Sequence, residues 1–133
     1  MIRAVADTHA ILWYLYNDPR LSATAGATMD SAVQAGDEIA ISSISLVEIA
    51  YLVEKNRVAS DAFDRVVAEL NAADTSLQEI NLDQQVADKL RRIDRAQVPD
   101  MPDRIIAATA LMIGAPVISR DRKIRASVIT TIW

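Results

Sequence analysis

Several residue types on which catalytic sites commonly depend are missing or scarce in this chain. It has no cysteine, which excludes disulfides, thiolate metal sites and cysteine nucleophiles. His9 is the only histidine, so chemistry that needs two imidazoles is excluded. With three glycines, the chain forms neither a G-x-x-x-x-G-K phosphate loop nor a G-x-G-x-x-G dinucleotide motif, and it has no G-x-S-x-G turn. If the protein is an enzyme, we expect carboxylates to be its working groups.

Long apolar runs are also missing, although 51% of the 133 residues are hydrophobic. The longest candidate, Ile105–Ile118, is interrupted by Gly114 and Pro116 and is shorter than the ~20 residues that span a bilayer. Arg3 and Asp7 interrupt the start of the sequence, which therefore lacks the apolar core of a signal peptide. Length and composition predict one cytoplasmic globular domain over residues 1–133.

Charge is unevenly distributed along the chain, whose formal net charge is −4. Residues 1–88 carry 5 basic and 14 acidic side chains, and residues 89–125 carry 9 basic and 4 acidic ones. The net charge argues against a protein that coats nucleic acid, but a local basic face is compatible with it. Solvated helix faces explain the same distribution, and charge alone favours that explanation.

Short apolar segments alternate with segments of helical periodicity along the whole chain. The predicted strands are Ile2–Ala6, Glu38–Ser42, Leu77–Asn81, Ala115–Ser119 and Ser127–Ile132. The predicted helices cover about residues 8–17, 22–35, 43–53, 60–72, 82–95 and 103–113. Val98–Pro102 is predicted to be a loop, because Pro99 and Pro102 are unfavourable inside a helix. Helices between apolar strands predict a three-layer α/β/α sandwich with a mainly parallel central sheet.

Four acidic residues stand near the ends of predicted elements. Asp7 and Asp121 each follow a strand, Glu48 lies on the helix after the second strand, and Asp103 begins a helix. In a parallel sheet these positions share the edge at which ligands bind. Four carboxylates at one edge repel each other unless cations neutralise them, and Mg²⁺ or Mn²⁺ with oxygen ligands suits this role.

Each acid also has a structural explanation. Asp7 and Asp103 stand where aspartate caps helices, and Asp121 fits a solvated turn. Ser45 and Glu48 fit the capping box S-x-x-E. Taken singly, the structural explanations are favoured. The shared edge favours function, because capping does not require it.

Four segments of the sequence resemble, in order, the motifs of PIN-domain toxins of the VapC type. They are Val5–Trp13 (VADTHAILW), Ile41–Ala50 (ISSISLVEIA), Pro102–Ala110 (PDRIIAATA) and Val117–Asp121 (VISRD). The similarity extends from residue 2 to about residue 125. Val47 departs from the aromatic residue that often precedes the glutamate in this family.

The resemblance implies a PIN fold and a divalent-metal-dependent endoribonuclease that is the toxin of a toxin–antitoxin pair. Carried over by motif, Asp7, Glu48, Asp103 and Asp121 would be catalytic residues that hold one or two Mg²⁺ ions, with Mn²⁺ as an alternative. Ser119 stands where the family often has a threonine or serine near the metal.

Partners follow from the same considerations. RNA is the expected substrate, and Arg104, Arg120 and Arg122 are close enough in sequence to the acids to contact its phosphates, although surface ion pairs explain them equally. A small antitoxin protein is expected to place a cationic side chain among the acids. The apolar, aromatic segment Ile11–Tyr16 suggests a homodimer interface.

Two other functions are compatible with strand-end acids. A receiver-like signalling domain has similar acids, but it needs an acid pair where this chain has Asp7-Thr8. A PIN-fold module that binds RNA or protein without catalysis is the second alternative. Intact acids in all four motifs count against it.

Overall fold

A five-stranded sheet forms the centre of the fold. The structure is a computed structural model and describes residues 1–125, 127 and 129–133. The strands are β1 (Ile2–Ala6), β2 (Glu38–Ser42), β3 (Leu77–Ile80), β4 (Val117–Ile118) and β5 (Thr131–Ile132). They lie in the order β3-β2-β1-β4-β5, and each neighbouring pair is parallel. The predicted parallel sheet is confirmed.

Helices cover both faces of this sheet. They are α1 (Thr8–Leu15), α2 (Ala23–Gln34), α3 (Ser43–Glu54), α4 (Ala62–Leu70), α5 (Gln84–Leu90), α6 (Met101–Ile113) and α7 (Arg122–Arg125). Because side chains alternate along a strand, Ala4 and Ala6 of β1 pack into one core with α1, α2 and α4. Val5 packs into the other core with α5, α6 and α7. The structure therefore has the predicted three layers.

Helix ends follow the local chemistry of the sequence. Ser22 caps α2 by accepting a hydrogen bond from the Ala25 amide at 3.0 Å. Gly36 and Gly114 follow the ends of α2 and α6 with φ values of +75° and +72°, a conformation that glycine adopts without steric cost.

Several predicted boundaries were wrong. The helix predicted over 82–95 is the shorter α5, which Asp83 caps. The α6 helix begins at Met101 and not at Asp103, because Asp100 caps it and Pro102 is tolerated in a first turn, where no N–H is needed. The short helix α7 was not predicted.

The last strand is also shorter than predicted. It covers Thr131–Ile132, and Val128 of the predicted range lies outside the described residues.

Two further expectations are decided by burial and hydropathy. Ile11, Leu12 and Trp13 are buried, so this part of the segment Ile11–Tyr16 fills the core and does not form the exposed patch on which the dimer prediction depended. Within the described residues, no helix is both long and apolar enough to cross a membrane.

Strand order places a crevice in the sheet. The connections run outward from β1 on both sides, so the order reverses between β1 and β4. In open α/β sheets, ligands bind beyond the carboxyl ends of the strands at such a reversal. Receiver domains have the order 2-1-3-4-5, which differs from the order here, and this difference excludes the receiver alternative.

Candidate active site

A cavity of about 430 Å³ opens at the carboxyl ends of β1 and β4. We call it the acidic cavity. Five carboxylates line it, together with two arginines, a threonine, a histidine and a tryptophan: Asp7, Glu48, Asp100, Asp103, Asp121, Arg20, Arg120, Thr8, His9 and Trp13. The four acids predicted from the sequence therefore line one cavity. Their catalytic and metal-binding roles stay predictions.

Asp7 is held by backbone groups of β4 and α1. Its amide donates to the Ile118 carbonyl of β4 at 3.0 Å, and its Oδ1 accepts from the Ala10 amide at 2.8 Å. Burial raises the pKa of the Asp7 carboxyl, and the hydroxyl of Ser119 and the Ala10 amide oppose that rise. Asp7 is thus the N-cap of α1 and also a wall of the acidic cavity.

Asp103 does not cap α6, although the sequence suggested that role for it. Asp100 Oδ2 accepts from the Asp103 amide at 3.1 Å and caps α6 in its place. Burial, a hydrogen bond with Asp121 and the charges of Asp100, Asp121 and Glu48 raise the pKa of Asp103 to about 8. Asp103 therefore favours its protonated form at neutral pH.

Asp121 is fixed by the turn that follows β4. Its amide donates to Oγ of the buried Ser119 at 2.9 Å, and its Oδ1 accepts from the Lys123 amide at 2.8 Å. Asp121 is accordingly the turn acid suggested by the sequence, and the same turn directs it to the acidic cavity. Ser119 orients the backbone of this turn.

Glu48 is positioned by a buried pair of hydroxyls. Thr8 Oγ1 donates to Glu48 Oε1, and Ser45 Oγ lies 2.9 Å from Thr8 Oγ1. Because a hydroxyl carries one hydrogen, Ser45 must donate to Thr8 when Thr8 donates to Glu48. The capping box suggested for Ser45 and Glu48 is absent, since α3 begins at Ser43 with Ser42 as its cap.

The sequence did not indicate that the Thr8 hydroxyl positions Glu48. It follows Asp7 directly, but nothing in a local pattern indicates that it contacts Ser45 and Glu48, 37 and 40 residues further along the chain. Only the pairing of β1 with β2 brings these residues together.

Two arginines present guanidinium groups beside the acids. The guanidinium carbons of Arg120 and Arg20 lie 4.7 and 5.1 Å from the centre of the Trp13 ring. Arg20 also forms a paired contact with Asp18, with nitrogen–oxygen distances of 3.0 and 2.7 Å. Arg20 was missed by the sequence analysis because it is distant in sequence from the acids.

The other two arginines predicted to contact phosphate lie elsewhere. Arg104 donates to the backbone carbonyls of Leu90 and Ile93, at 3.0 and 2.9 Å, and so ties α6 to the end of α5. Arg122 is exposed on α7. Neither lines the acidic cavity.

The donor atoms of the acidic cavity decide which metal ions it suits. In the described part of the chain, no three acidic or imidazole side chains are already gathered as ligands of one ion. The donor chemistry nevertheless suits a hard cation, since the cavity has five carboxylates. A cation bound there would neutralise the neighbouring charges that raise the pKa of Asp103.

Comparisons with known proteins agree with the fold. The family model of the PIN domain matches residues 4–127. Ribonuclease VapC22 of Mycobacterium tuberculosis (strain ATCC 25618 / H37Rv) is 27% identical over 125 residues, which cover 94% of this chain and 92% of that protein.

Solved structures are similar over nearly the whole chain. The crystal structure of VapBC2 from Rickettsia felis, bound to a DNA fragment from their promoter, matches with a TM-score of 0.72 and 18% identity and covers 98% of this chain and 97% of that one. A toxin–antitoxin complex from Klebsiella pneumoniae matches with a TM-score of 0.67 and 23% identity, over 98% and 96% of the two chains. At these identities, the likeness shows a shared fold.

Proposed function

This chain belongs to the PIN domain family, and we propose that it is a divalent-metal-dependent endoribonuclease, the toxin of a type II toxin–antitoxin pair. The observation that carries the proposal is the convergence of five carboxylates on one cavity at the reversal of strand order. The similarity to a protein named as a ribonuclease supports the choice of RNA. Residues 1–133 would act as one nuclease domain on RNA in the cytoplasm.

Asp7, Asp103, Asp121 and Glu48 are the residues that would hold one or two Mg²⁺ ions, with Mn²⁺ as a substitute. A bound ion of this kind neutralises charge on the phosphoryl oxygens and lowers the pKa of a bound water. Asp103 has to release its proton to act as a ligand, and its carboxyl contacts Asp121, which would become a ligand at the same time. Ser119 would keep Asp121 in position through its amide.

The chain's own groups would orient the reactants. Glu48, held by the Thr8 hydroxyl, would orient the attacking water or accept its proton. Arg120 and Arg20 line the same cavity and would bind phosphates that flank the scissile bond.

Cleavage of RNA tests this proposal directly. We expect the purified protein to cut RNA with Mg²⁺ or Mn²⁺ and to stop when EDTA is added, and we expect Asp7→Asn to be inactive. Asp74→Asn, an exposed carboxylate outside the acidic cavity, is the matched control and should keep full activity. Cleavage that persists in EDTA, or that survives in a folded Asp7→Asn protein, contradicts the proposal.

The toxin role requires an inhibitor encoded separately. The solved structures similar to this chain include a toxin–antitoxin complex, which supports a small antitoxin as the partner. A cationic side chain of that partner would pair with the carboxylates of the acidic cavity. Expression of the chain alone should arrest growth, and a neighbouring small reading frame should relieve the arrest. Normal growth at confirmed soluble expression contradicts the toxin role.

Homodimerisation remains part of the proposal on a different surface. Val47 and Tyr51 lie one turn apart on α3 and are 60% and 58% exposed, so this helix presents apolar surface that the core does not use. Sedimentation should give a species of twice the 14.6 kDa chain mass, and Val47→Asp should convert it to a monomer. A monomer at micromolar wild-type concentration contradicts this part.

A further inference from the structure

A second, smaller cavity of about 210 Å³ lies beside the acidic cavity. We call it the side cavity. The two cavities share His9, Trp13 and Arg20, so a polymeric ligand that extends from one cavity into the other passes these residues. A ligand in the side cavity therefore lies next to the bond that the acids would cleave.

The two cavities differ in charge. The acidic cavity has five carboxylates, whereas the side cavity has two arginines, Arg20 and Arg57, and a single carboxylate, Asp18. Arg20 holds Asp18 in a paired contact that compensates its charge. This contact leaves Arg57 to attract an anion, so the side cavity favours a ligand attached to phosphate.

The remaining surface of the side cavity is apolar or aromatic. Leu12, Val58, Ala59 and Ala62 contribute apolar groups, and Trp13 and Tyr16 contribute aromatic rings. The small side chain of the exposed Ala59 leaves room for a flat group. An aliphatic ligand would gain nothing from the arginines, and a free phosphate would gain nothing from the apolar groups. A planar ring linked to phosphate uses both.

Arg20 is prepared to stack on such a ring. Its guanidinium plane is fixed by Asp18 on one edge and lies over the Trp13 ring, 5.1 Å from the ring centre. Bases of single-stranded RNA stack on aromatic rings and on guanidinium planes. Because Trp13 and Asp18 contact Arg20 and restrict its rotamers, less freedom is lost when a base stacks on it.

We infer that the side cavity binds one unpaired nucleobase of the RNA, adjacent to the scissile phosphate, with Arg20 as the stacking surface and Arg57 as a phosphate contact. The inference builds on the proposed ribonuclease function and adds a base-binding subsite to it. Trp13 is a positioning residue, since it supports Arg20. A single subsite of this kind selects RNA whose nucleotide next to the cleaved bond is unpaired.

Binding of short oligonucleotides tests the inference. The probes are fluorescent eight-nucleotide homopolymers of A, C, G and U and a ribose-phosphate oligomer of equal length without bases, all measured by polarisation with Asp103→Asn protein, in which cleavage is expected to be absent. The best homopolymer should bind roughly fivefold to a hundredfold more tightly than the oligomer without bases, which is the range for stacking of one base.

Variants in the side cavity then locate the effect. Ala59→Phe adds a ring to an exposed loop residue that lines the side cavity, and it should remove the advantage of the bases. Ala73→Phe, which is exposed and lines neither cavity, is the matched control and should keep that advantage. Arg57→Ala should weaken binding of all probes about equally, whereas Arg92→Ala, an exposed arginine elsewhere, should not.

The possible results separate the subsite from the proposed function. Equal binding of the probes with and without bases overturns the subsite, and it is the result expected if the side cavity is built for a protein partner. An advantage of bases that survives Ala59→Phe overturns it as well. If either result is obtained with the Asp103→Asn protein while the wild-type protein cuts RNA, the subsite is wrong and the proposed nuclease function stands. Protein that cuts no RNA but shows the expected binding retains the subsite alone.

Discussion

The two faces of the sheet and its carboxyl-end edge differ in what they bury. On the faces, the buried residues that form the two cores are apolar. At the edge, five carboxylates surround the acidic cavity, and the buried residues Thr8, Ser42, Ser45 and Ser119 lie at the same ends of the strands. Thr109, the other buried polar residue in the described ranges, bonds to the backbone of its own helix. The faces therefore supply stability, and the edge holds like charges that the fold must constrain.

The largest expected effect is the loss of cleavage when one carboxylate of the edge is neutralised. Asp103→Asn preserves shape and removes a carboxylate that would hold the metal, so we expect cleavage to fall at least about a thousandfold, equivalent to about 4 kcal/mol. The metal-free protein should be at least as stable as wild type, because the amide cannot ionise among the charges of Asp100, Asp121 and Glu48. Single-turnover cleavage and urea unfolding measure the two effects. If Asp103→Asn lowered stability together with activity, the edge would contribute to stability as the faces do, and the contrast between them would be wrong.

A core substitution should give the opposite pattern. Ile39 is 2% exposed in β2, at the end of the strand far from the acidic cavity, and Ile39→Ala removes buried methyl groups. We expect the free energy of unfolding to fall by about 3 kcal/mol and the cleavage rate per folded molecule to stay within twofold. Urea denaturation and active-site titration distinguish these quantities. A lower rate in fully folded protein contradicts this expectation.

The hydroxyls behind the acids should give a smaller effect on activity. Thr8→Val retains volume but removes the donor to Glu48, so Glu48 loses its orientation. We expect kcat to fall about tenfold, or about 1.4 kcal/mol, with KM unchanged. Thr8→Ser keeps the hydroxyl and is the matched control. Equal activity of the two variants would show that Glu48 does not depend on Thr8.

Arginine substitutions compare the edge with the adjoining face. Arg120→Ala should raise KM for RNA about fivefold, because its guanidinium lines the acidic cavity and is exposed. Arg104→Ala should leave KM unchanged and lower stability, because Arg104 bonds to the carbonyls that end α5. Steady-state kinetics and thermal unfolding of both variants are the measurements. A rise in KM for Arg104→Ala alone would reverse the assignment.

The last effect concerns stability alone and is its dependence on pH. The folded pKa of Asp103 is about 8 and its ordinary value is 3.8, so between these values the folded protein binds more protons than the unfolded chain. This contribution to stability is complete below about pH 4 and is lost as the pH rises to about 8. Urea midpoints in EDTA should decline over that interval, and the decline should be weaker in Asp103→Asn. Asp74→Asn should keep the wild-type slope.

Most of the fold could be predicted from local sequence. β1 and β2 have the predicted limits, and Ser22 caps α2 as expected, because strand burial and capping depend on neighbouring residues. Errors fell where local signals compete. Asp100 and Asp103 both fit a cap, and Pro102 fits a loop or a first turn, so only the folded geometry decides between them.

The sequence by itself determined that Asp7 and Asp121 share an edge, since the position of an acid directly after a parallel strand fixes the end of the sheet at which it lies. Glu48 and Asp103 lie on helices, and the packing of α3 and α6 brings them to the same cavity. Tertiary structure alone decided which hydroxyls and arginines join them. Thr8 donates to Glu48, which is 40 residues away in the chain. Arg20 lines the acidic cavity, whereas Arg104, although next to Asp103 in the chain, lies outside it and bonds to the Ile93 carbonyl. The direction of a long side chain depends on how its helix packs and on which carbonyls lie within reach, and local sequence spacing encodes neither of these.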